Sequence, residues 1–238
     1  MDVLVFASQK GGSEKTTLAG HIAVEAERQG GGPVALIDTD PQGSLAQWWN
    51  VRELSTPAFV TGTGQDLRTD LDALKAHGFK LVIIDTPPAH SATISAVLRL
   101  ADRVVIPTRP SPHDLRAAGA TVRLCEAEGI RPFFVVNGAT PRARITTEAV
   151  IALSHHGAVA PVIIHHRVDF AASMTDGRTV MEIPGVSRST DEIAKLWTFL
   201  ASSLKGEAFT PLLGGASASK AKHRDESAQA QQSLWRVA

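Results

Sequence analysis

Residues 3–17 read VLVFASQKGGSEKTT, a short apolar run that leads into a polar, glycine-rich turn and then into residues that favour a helix. The apolar run Val3–Ala7 is typical of a strand buried on both faces of a parallel sheet. A turn between such a strand and a helix directs backbone N–H groups and the positive end of the helix dipole towards an anion. Residues 9–17 are therefore predicted to form a phosphate-binding loop.

Two side chains of this loop suit a nucleoside triphosphate. Lys15 would reach the terminal phosphates, and the Thr16 hydroxyl would bind Mg²⁺. The common spacing of such loops, G-x-x-x-x-G-K-[ST], has glycine where this chain has Gln9 and Glu14. The Glu14 carboxylate would repel a triphosphate unless it turned away or paired with a cation, and its Cβ would strain any backbone with positive φ.

Short apolar runs alternate with helix-like stretches along most of the chain. This alternation predicts an α/β fold, a doubly wound and mostly parallel sheet flanked by helices. The predicted strands are 3–7, 33–38, 80–85, 103–107, 131–137 and 159–164. The predicted helices are 15–29, 64–76, 91–100, 113–127, 146–155 and 190–204.

Carboxylates follow the second and third predicted strands. Asp38 and Asp40 lie in DTDPQGS directly after one strand, and Asp85 ends the next strand in LVIIDTPP. Two carboxylates at positions i and i+2 of a strand end can face one site. An aspartate that ends an apolar strand downstream of a phosphate loop typically reaches Mg²⁺ through water. These positions predict a site for a nucleotide and Mg²⁺ at one end of the sheet.

Together these motifs resemble those of the ParA/MinD ATPases, and most closely those of the small ParA partition and positioning proteins. The loop is similar to the deviant Walker A motif of that family, K-G-G-x-G-K-[ST]-T, with Glu14 in place of a glycine. DTDPQGS is similar to the D-x-D-P-Q-G element, and the resemblance extends over about residues 2–205. It implies a P-loop NTPase fold of the SIMIBI type, with ATP and Mg²⁺ as ligands.

The resemblance also implies roles for single residues. Lys10, the signature lysine of the family, would reach across a dimer to the phosphates bound by the partner, and Asp40 would help to position the attacking water. Asn137, after the fifth predicted strand, would face the adenine base. The implied catalytic residues are Lys10, Lys15 and Asp40. The implied metal-site residues are Thr16, Asp38 and Asp85. The implied nucleotide-binding residues are Lys10, Gly11, Gly12, Ser13, Glu14, Lys15, Thr16, Thr17 and Asn137.

DNA and protein partners are implied in the same way. A small ParA forms a homodimer with ATP, binds DNA without sequence preference, and hydrolyses ATP slowly until a ParB-type partner or cargo adaptor stimulates it. Because 24 Lys and Arg are balanced by 24 Asp and Glu, DNA binding here needs a local basic patch. Arg142, Arg144 and Arg167 are the candidates for this patch. The expected location is the cytoplasm, at the nucleoid.

The composition also limits the kinds of chemistry and of membrane contact that this chain can have. A single cysteine, Cys125, excludes a thiolate-held cluster within one chain, and the absence of tyrosine excludes tyrosine chemistry. Residues 1–210 are expected to form one ATPase domain and residues 211–238 a flexible polar tail. Apolar side chains of the tail cluster at its tip, around Leu234 and Trp235, which is too little for a membrane-bound amphipathic helix. No membrane contact is therefore expected.

Two alternatives remain open from the sequence. One is a MinD-like positioning ATPase that associates with a membrane. The other is an adaptor that binds nucleotide but is impaired in hydrolysis, because Glu14 replaces the loop glycine. The cargo is not identified by any of these residues.

Overall fold

The computed structural model describes residues 1–12, 14–61, 66–88, 92–185 and 188–207. Ser13 and the predicted tail at 211–238 lie outside these ranges. The strands are β1 (Asp2–Phe6), β2 (Val34–Asp38), β3 (Ala58–Val60), β4 (Leu81–Asp85), β5 (Arg103–Thr108), β6 (Phe133–Val136) and β7 (Ala158–Val159). The helices are α1 (Lys15–Arg28), α2 (Ser44–Asn50), α3 (Leu67–Ala76), α4 (Ala92–Leu98), α5 (Pro112–Ala127), α6 (Arg144–Ser154), α7 (Val168–Met174) and α8 (Arg188–Leu204).

The seven strands in these ranges form one sheet in the order β3-β2-β4-β1-β5-β6-β7, and every neighbouring pair is parallel. The predicted doubly wound α/β class is confirmed. Parallel neighbours require crossover connections, which the helices supply. The carboxyl ends of all strands therefore lie at one edge of the sheet, and the loops that follow them meet there.

Side chains of the central strands alternate between two apolar cores, one on each face of the sheet. Leu4 and Phe6 of β1 enter the core that contains α1, α2, α7 and α8. Val3 and Val5 enter the core that contains α3, α4, α5 and α6. Such two-sided burial explains why β1, β2 and β4 read as unbroken apolar runs. Among the described helices, none has the length and apolar character needed to cross a membrane.

The sixth predicted strand, 159–164, was mostly wrong. The ladder to β6 includes Ala158 and Val159, and the Ala160 N–H still donates to the Phe134 carbonyl oxygen at 2.8 Å. The regular pairing then stops, and Ile164 donates its N–H to the Val136 carbonyl oxygen at 2.9 Å. Pro161 lies between these two bonds and has no N–H to offer the sheet. The edge position of β7 makes this interruption tolerable, because no strand lies beyond it among the described residues.

Three short elements were missed from the sequence. β3 has three residues, and α2 and α7 have seven each, which is too few for a clear apolar period. The six predicted helices are all present, with ends displaced by a few residues. The predicted helix at 64–76 begins at Leu67, and residues 62–65 lie outside the described ranges.

Candidate functional site

Three loops converge at the carboxyl edge because β2, β4 and β1 are adjacent. Asp85 is in register with Phe6 on one side and with Asp38 on the other. The glycine-rich loop that follows β1 therefore begins beside the ends of the two strands that carry the predicted carboxylates. The structure thus brings Lys15, Thr16, Asp38, Asp40 and Asp85 together, as the sequence predicts.

Asp85 is buried at the centre of this arrangement, with 1% of its surface exposed. The Thr16 hydroxyl donates a hydrogen bond to Oδ2. Burial raises the pKa of Asp85 to about 7, although the Thr16 hydroxyl and the Lys15 ammonium favour the charged form; Asp38 and Asp40 raise it further. Within the described part of the chain, Asp85 Oδ1 has no hydrogen-bond partner.

A divalent cation fits this environment. It would satisfy the unpartnered Oδ1 and favour the charged carboxylate, and the neighbouring Thr16 hydroxyl is a second hard oxygen ligand. The described residues contain no group of three or more His, Cys, Asp and Glu side chains that could hold a metal by themselves. Mg²⁺ commonly uses one or two protein ligands and takes the rest from phosphates and water, so the donor set suits Mg²⁺ bound together with a nucleotide.

Lys15 is the buried cation of the loop. Its Nζ lies 3.5 Å from the carbonyl oxygen of Lys10, so the side chain folds back across the loop. Burial lowers the pKa of Lys15, while the carboxylates of Asp85 and Asp40 oppose this change. An ammonium held between a glycine-rich backbone and two carboxylates is placed to contact phosphate oxygens.

Asp38 has its oxygens occupied by backbone donors. Oδ1 accepts the N–H of Asp40 at 3.0 Å, and Oδ2 accepts the N–H groups of Leu45 and Ala46 at 3.0 and 3.1 Å. Burial raises the pKa of Asp38 in spite of these three bonds. Asp38 therefore ties the end of β2 to the start of α2 and orients the loop that carries Asp40.

Lys10 forms an ion pair within its own chain. Its Nζ lies 2.8 Å from Oδ2 of Asp114, in the first turn of α5. Asp114 also accepts a hydrogen bond from the hydroxyl of Ser111, the N-cap of the same helix. The S-x-x-D pattern from Ser111 to Asp114 predicts such a cap, but its pairing with Lys10 depends on the adjacency of β1 and β5.

A cavity of about 90 Å³ opens beside the loop. Asn137, buried at the end of β6, lines it together with Thr17 and Phe170, so the residue expected to face adenine lies next to the phosphate loop. Glu14 and Arg109 also line the cavity and form an ion pair with each other. Arg109 was not predicted as a site residue, although its position directly after β5 places it at the carboxyl edge of the sheet.

The three candidate DNA-binding arginines differ in their surroundings. Arg142 is exposed with φ 61°, and Arg144 is 92% exposed and pairs with Glu148 one helical turn away. Arg167 is half-buried and donates to Oε1 of Glu192 at 2.7 Å. A parallel bridge between residues 139 and 165 places the two loops side by side. Arg142 and Arg144 thus project from the surface, whereas Arg167 belongs to the cavity wall.

Comparison with known proteins places this site in a family. Residues 4–180 match the model of the CobQ/CobB/MinD/ParA nucleotide binding domain, so the chain belongs to this family, whose ParA and MinD members are ATPases. The resemblance drawn from the loop motifs is confirmed.

Two similar proteins are named for the distribution of carboxysomes. Maintenance of carboxysome distribution protein A from Gloeobacter kilaueensis is 39% identical over 121 residues, which are 50% of this chain and 55% of that protein. The protein of the same name from Halothiobacillus neapolitanus is 29% identical over 208 residues, 81% of this chain and 93% of that protein. The chain is thus a ParA/MinD-family protein whose relatives act in positioning or partitioning.

A solved relative shares the fold. The septum site-determining protein MinD from Pyrococcus horikoshii, in complex with Mg-ADP, superposes with a TM-score of 0.68 at 15% identity and covers 86% of this chain and 97% of its own. At this identity the likeness concerns the fold alone.

Proposed function

We propose that this chain is a ParA-like ATPase that dimerises when it binds MgATP and uses the cycle to position DNA or a large cellular cargo. The observation that carries the proposal is the convergence of Lys15, Thr16 and Asp85 at the end of β1 and β4, beside a glycine-rich loop. The unpartnered Oδ1 of Asp85 supplies the reason for a cation at this position.

In the proposed complex each group has a distinct task. The loop amides and the Lys15 ammonium hold the phosphates, while Thr16 and Asp85 hold the Mg²⁺, which neutralises phosphate charge when it is bound. Asp40 orients the attacking water. Asp38 supports the Mg²⁺ site and holds the loop of Asp40 in place through its bonds to the start of α2. Asn137 contacts the base in the adjacent cavity.

Dimerisation is assigned to Lys10 and the two glycines that follow it. Among the described residues, nothing lies within 4 Å of a Cβ built on Gly11 or Gly12, so packing against these residues does not require glycine at Gly11, where φ is also ordinary. Close approach of a second copy would explain it. Lys10 would then leave Asp114 and reach the phosphates of the partner subunit.

Exposed arginines support DNA binding by the dimer. Arg142 lies in the loop before α6 and Arg144 is the first residue of α6; both are exposed, and a two-fold dimer would present two copies of each. Such a patch suits binding to phosphates without sequence preference. A ParB-type partner or cargo adaptor would stimulate hydrolysis and release the dimer in the cytoplasm, at the nucleoid.

The test measures MgATP affinity, molar mass by light scattering and binding to a random-sequence DNA duplex. We expect wild type to bind MgATP, to double in mass and only then to hold DNA. Lys15→Ala should lose nucleotide binding, whereas Lys10→Ala should keep it and fail to dimerise. Arg142→Ala with Arg144→Ala should dimerise normally and lower the slope of log affinity against log salt by about 2 per chain.

A matched control and two contrary outcomes complete this test. Arg99→Ala removes an exposed cation that pairs with Glu128 outside the site, and it should leave all three measurements unchanged. A dimer with MgATP that shows no turnover, even with a cargo adaptor, would favour the hydrolysis-impaired adaptor. ATP-dependent flotation with liposomes, without DNA binding, would favour the MinD-like alternative.

A further inference from the structure

Glu14 occupies an unusual backbone position in the phosphate loop. With φ 62° and ψ 32° it lies in the left-handed region, and its carbonyl oxygen accepts the N–H of Leu18 at the start of α1. The side chain is 41% exposed and turns towards the cavity beside the loop. A carboxylate thus stands immediately before Lys15, where the phosphate cradle would receive several negative charges.

The carboxylate of Glu14 is held by two donors. Oε1 lies 2.5 Å from the Nη2 of Arg109, and Oε2 accepts the hydroxyl of Thr17 at 3.1 Å. Both oxygens are thereby drawn to the side of the loop. The Arg109 guanidinium cancels the charge that the nucleotide would otherwise meet.

Arg109 is itself held in place by the fold. It directly follows β5, which is the neighbour of β1, so the loops after these strands are adjacent. Its side chain lies over Gly138, where an added Cβ would stand 3.4 Å from Nε, and Gly138 has φ 63°. Two further cations near the loop have other carboxylate partners: Lys10 pairs with Asp114 and Arg167 with Glu192.

We propose that Arg109 is a positioning residue for nucleotide binding: it neutralises Glu14 and draws it aside, and it becomes dispensable when Glu14 is replaced by glycine. The inference rests on the proposed function, because MgATP is the ligand concerned. An unpaired carboxylate a few ångströms from the phosphates would weaken binding by roughly ten- to a hundredfold.

The experiment is a double-mutant cycle on the full chain. Equilibrium dissociation constants for MgATP are measured for wild type, Arg109→Ala, Glu14→Gly and the double variant. We expect Arg109→Ala to weaken binding by at least about tenfold, and Glu14→Gly to bind as well as wild type. The double variant should bind within about threefold of Glu14→Gly.

Controls separate this role from a general loss of structure. Arg109→Gln keeps a polar side chain but removes the charge, and it should show the same loss and the same rescue. Arg99→Ala should bind MgATP as wild type does. Thermal melting must show that each variant is folded, and rescue in the double variant is itself inconsistent with misfolding.

Three results would overturn the inference. Arg109→Ala could bind as tightly as wild type, which would show that Glu14 needs no partner. It could bind weakly in both backgrounds, which would make Arg109 a direct nucleotide ligand. Wild type could fail to bind while Glu14→Gly binds, which would show that the ion pair does not suffice and would overturn both the inference and the proposed function of this chain. Failure of all four proteins to bind would overturn the proposed function as well.

Discussion

His21 is a fully buried histidine of α1 that connects the phosphate loop with the last third of the described chain. Its Nδ1 lies 2.7 Å from the carbonyl oxygen of Thr17, and its Nε2 accepts the N–H of Val180 at 3.3 Å. These partners assign a neutral ring with the proton on Nδ1. Burial lowers the pKa of His21 to about 4, although the Thr17 carbonyl and Glu182 favour the charged form.

This histidine predicts a loss of stability in acid. The pKa of His21 falls from 6.5 to about 4 on folding, so between these values the unfolded chain binds a proton that the folded chain does not. The free energy of unfolding is therefore highest above pH 6.5 and decreases as the pH falls towards 4. The loss amounts to about 3 kcal/mol. Urea unfolding at several pH values should show a smaller loss over this range for His21→Gln than for wild type. Equal pH dependence in the two proteins would contradict the assignment.

The ionisation of Asp85 makes the protein less stable as the pH rises, which is the opposite of the effect of His21. Its pKa rises from 3.8 to about 7 on folding, so its charge costs stability increasingly as the pH rises through this range. At pH 8 and without nucleotide, Asp85→Asn should therefore be more stable than wild type, by at most about 4 kcal/mol. The same variant should lose the rise in melting temperature that MgATP gives wild type. A nucleotide-free variant less stable than wild type would contradict the expected cost of the charge.

The turn after α7 is held against the end of α2 by a buried ion pair. Arg52, with a side chain 3% exposed, donates to Oε2 of Glu182 at 2.9 Å and to the Gly177 carbonyl oxygen at 2.7 Å. A Cβ at Gly177 would stand 2.4 Å from the Arg52 Cα, so the two backbones approach closely enough to require glycine. This junction joins two helices of only seven residues each.

Breaking the pair should therefore be costly. Arg52→Met would leave the Glu182 carboxylate without its cation in a largely buried position and lower the free energy of unfolding by about 3 kcal/mol. Arg178→Met, which removes an exposed partner of Asp176, is the control and should give no measurable change. Urea denaturation measures both, and equal effects of the two variants would refute the special role of the buried pair.

The order of the strands decides which side chains lie close together at the carboxyl edge of the sheet. β1 lies between β4 and β5, so the phosphate loop touches the Mg²⁺ site on one side and the start of α5 on the other. In the single chain, Lys10 pairs with Asp114 on that second side. In the proposed dimer Lys10 leaves Asp114, so the free energy needed to break this ion pair disfavours dimerisation slightly.

Removing the charge of Asp114 should therefore favour the dimer. Asp114→Asn can still accept the Ser111 hydroxyl, so the helix cap is retained. Because Lys10 is 38% exposed, we expect the MgATP concentration at half-dimerisation to fall by only about two- to fivefold. Light scattering across an ATP titration measures this. Glu128→Gln, which removes a carboxylate from the Arg99 pair, serves as control and should not shift the midpoint.

The sequence alone was sufficient to predict the parallel sheet and to predict that Lys15, Thr16 and Asp85 lie close together. The physical reason is that residues directly after buried parallel strands must lie at the same edge, whatever the order of those strands. The sequence was not sufficient to predict short elements such as α2 and β3, because they contain too few residues to show a hydrophobic period. It also did not predict where β7 ends, near Pro161.

Only the tertiary structure decided the partners of Glu14 and Lys10. Glu14 and Arg109 are 95 residues apart, and their contact exists because β1 and β5 are neighbours in the sheet. The same adjacency brings Lys10 to Asp114. No local pattern encodes the order of the strands, which follows from the packing of helices on both faces. The sequence thus determined the chemistry available at the edge of the sheet, and the strand order determined which charges are neutralised there.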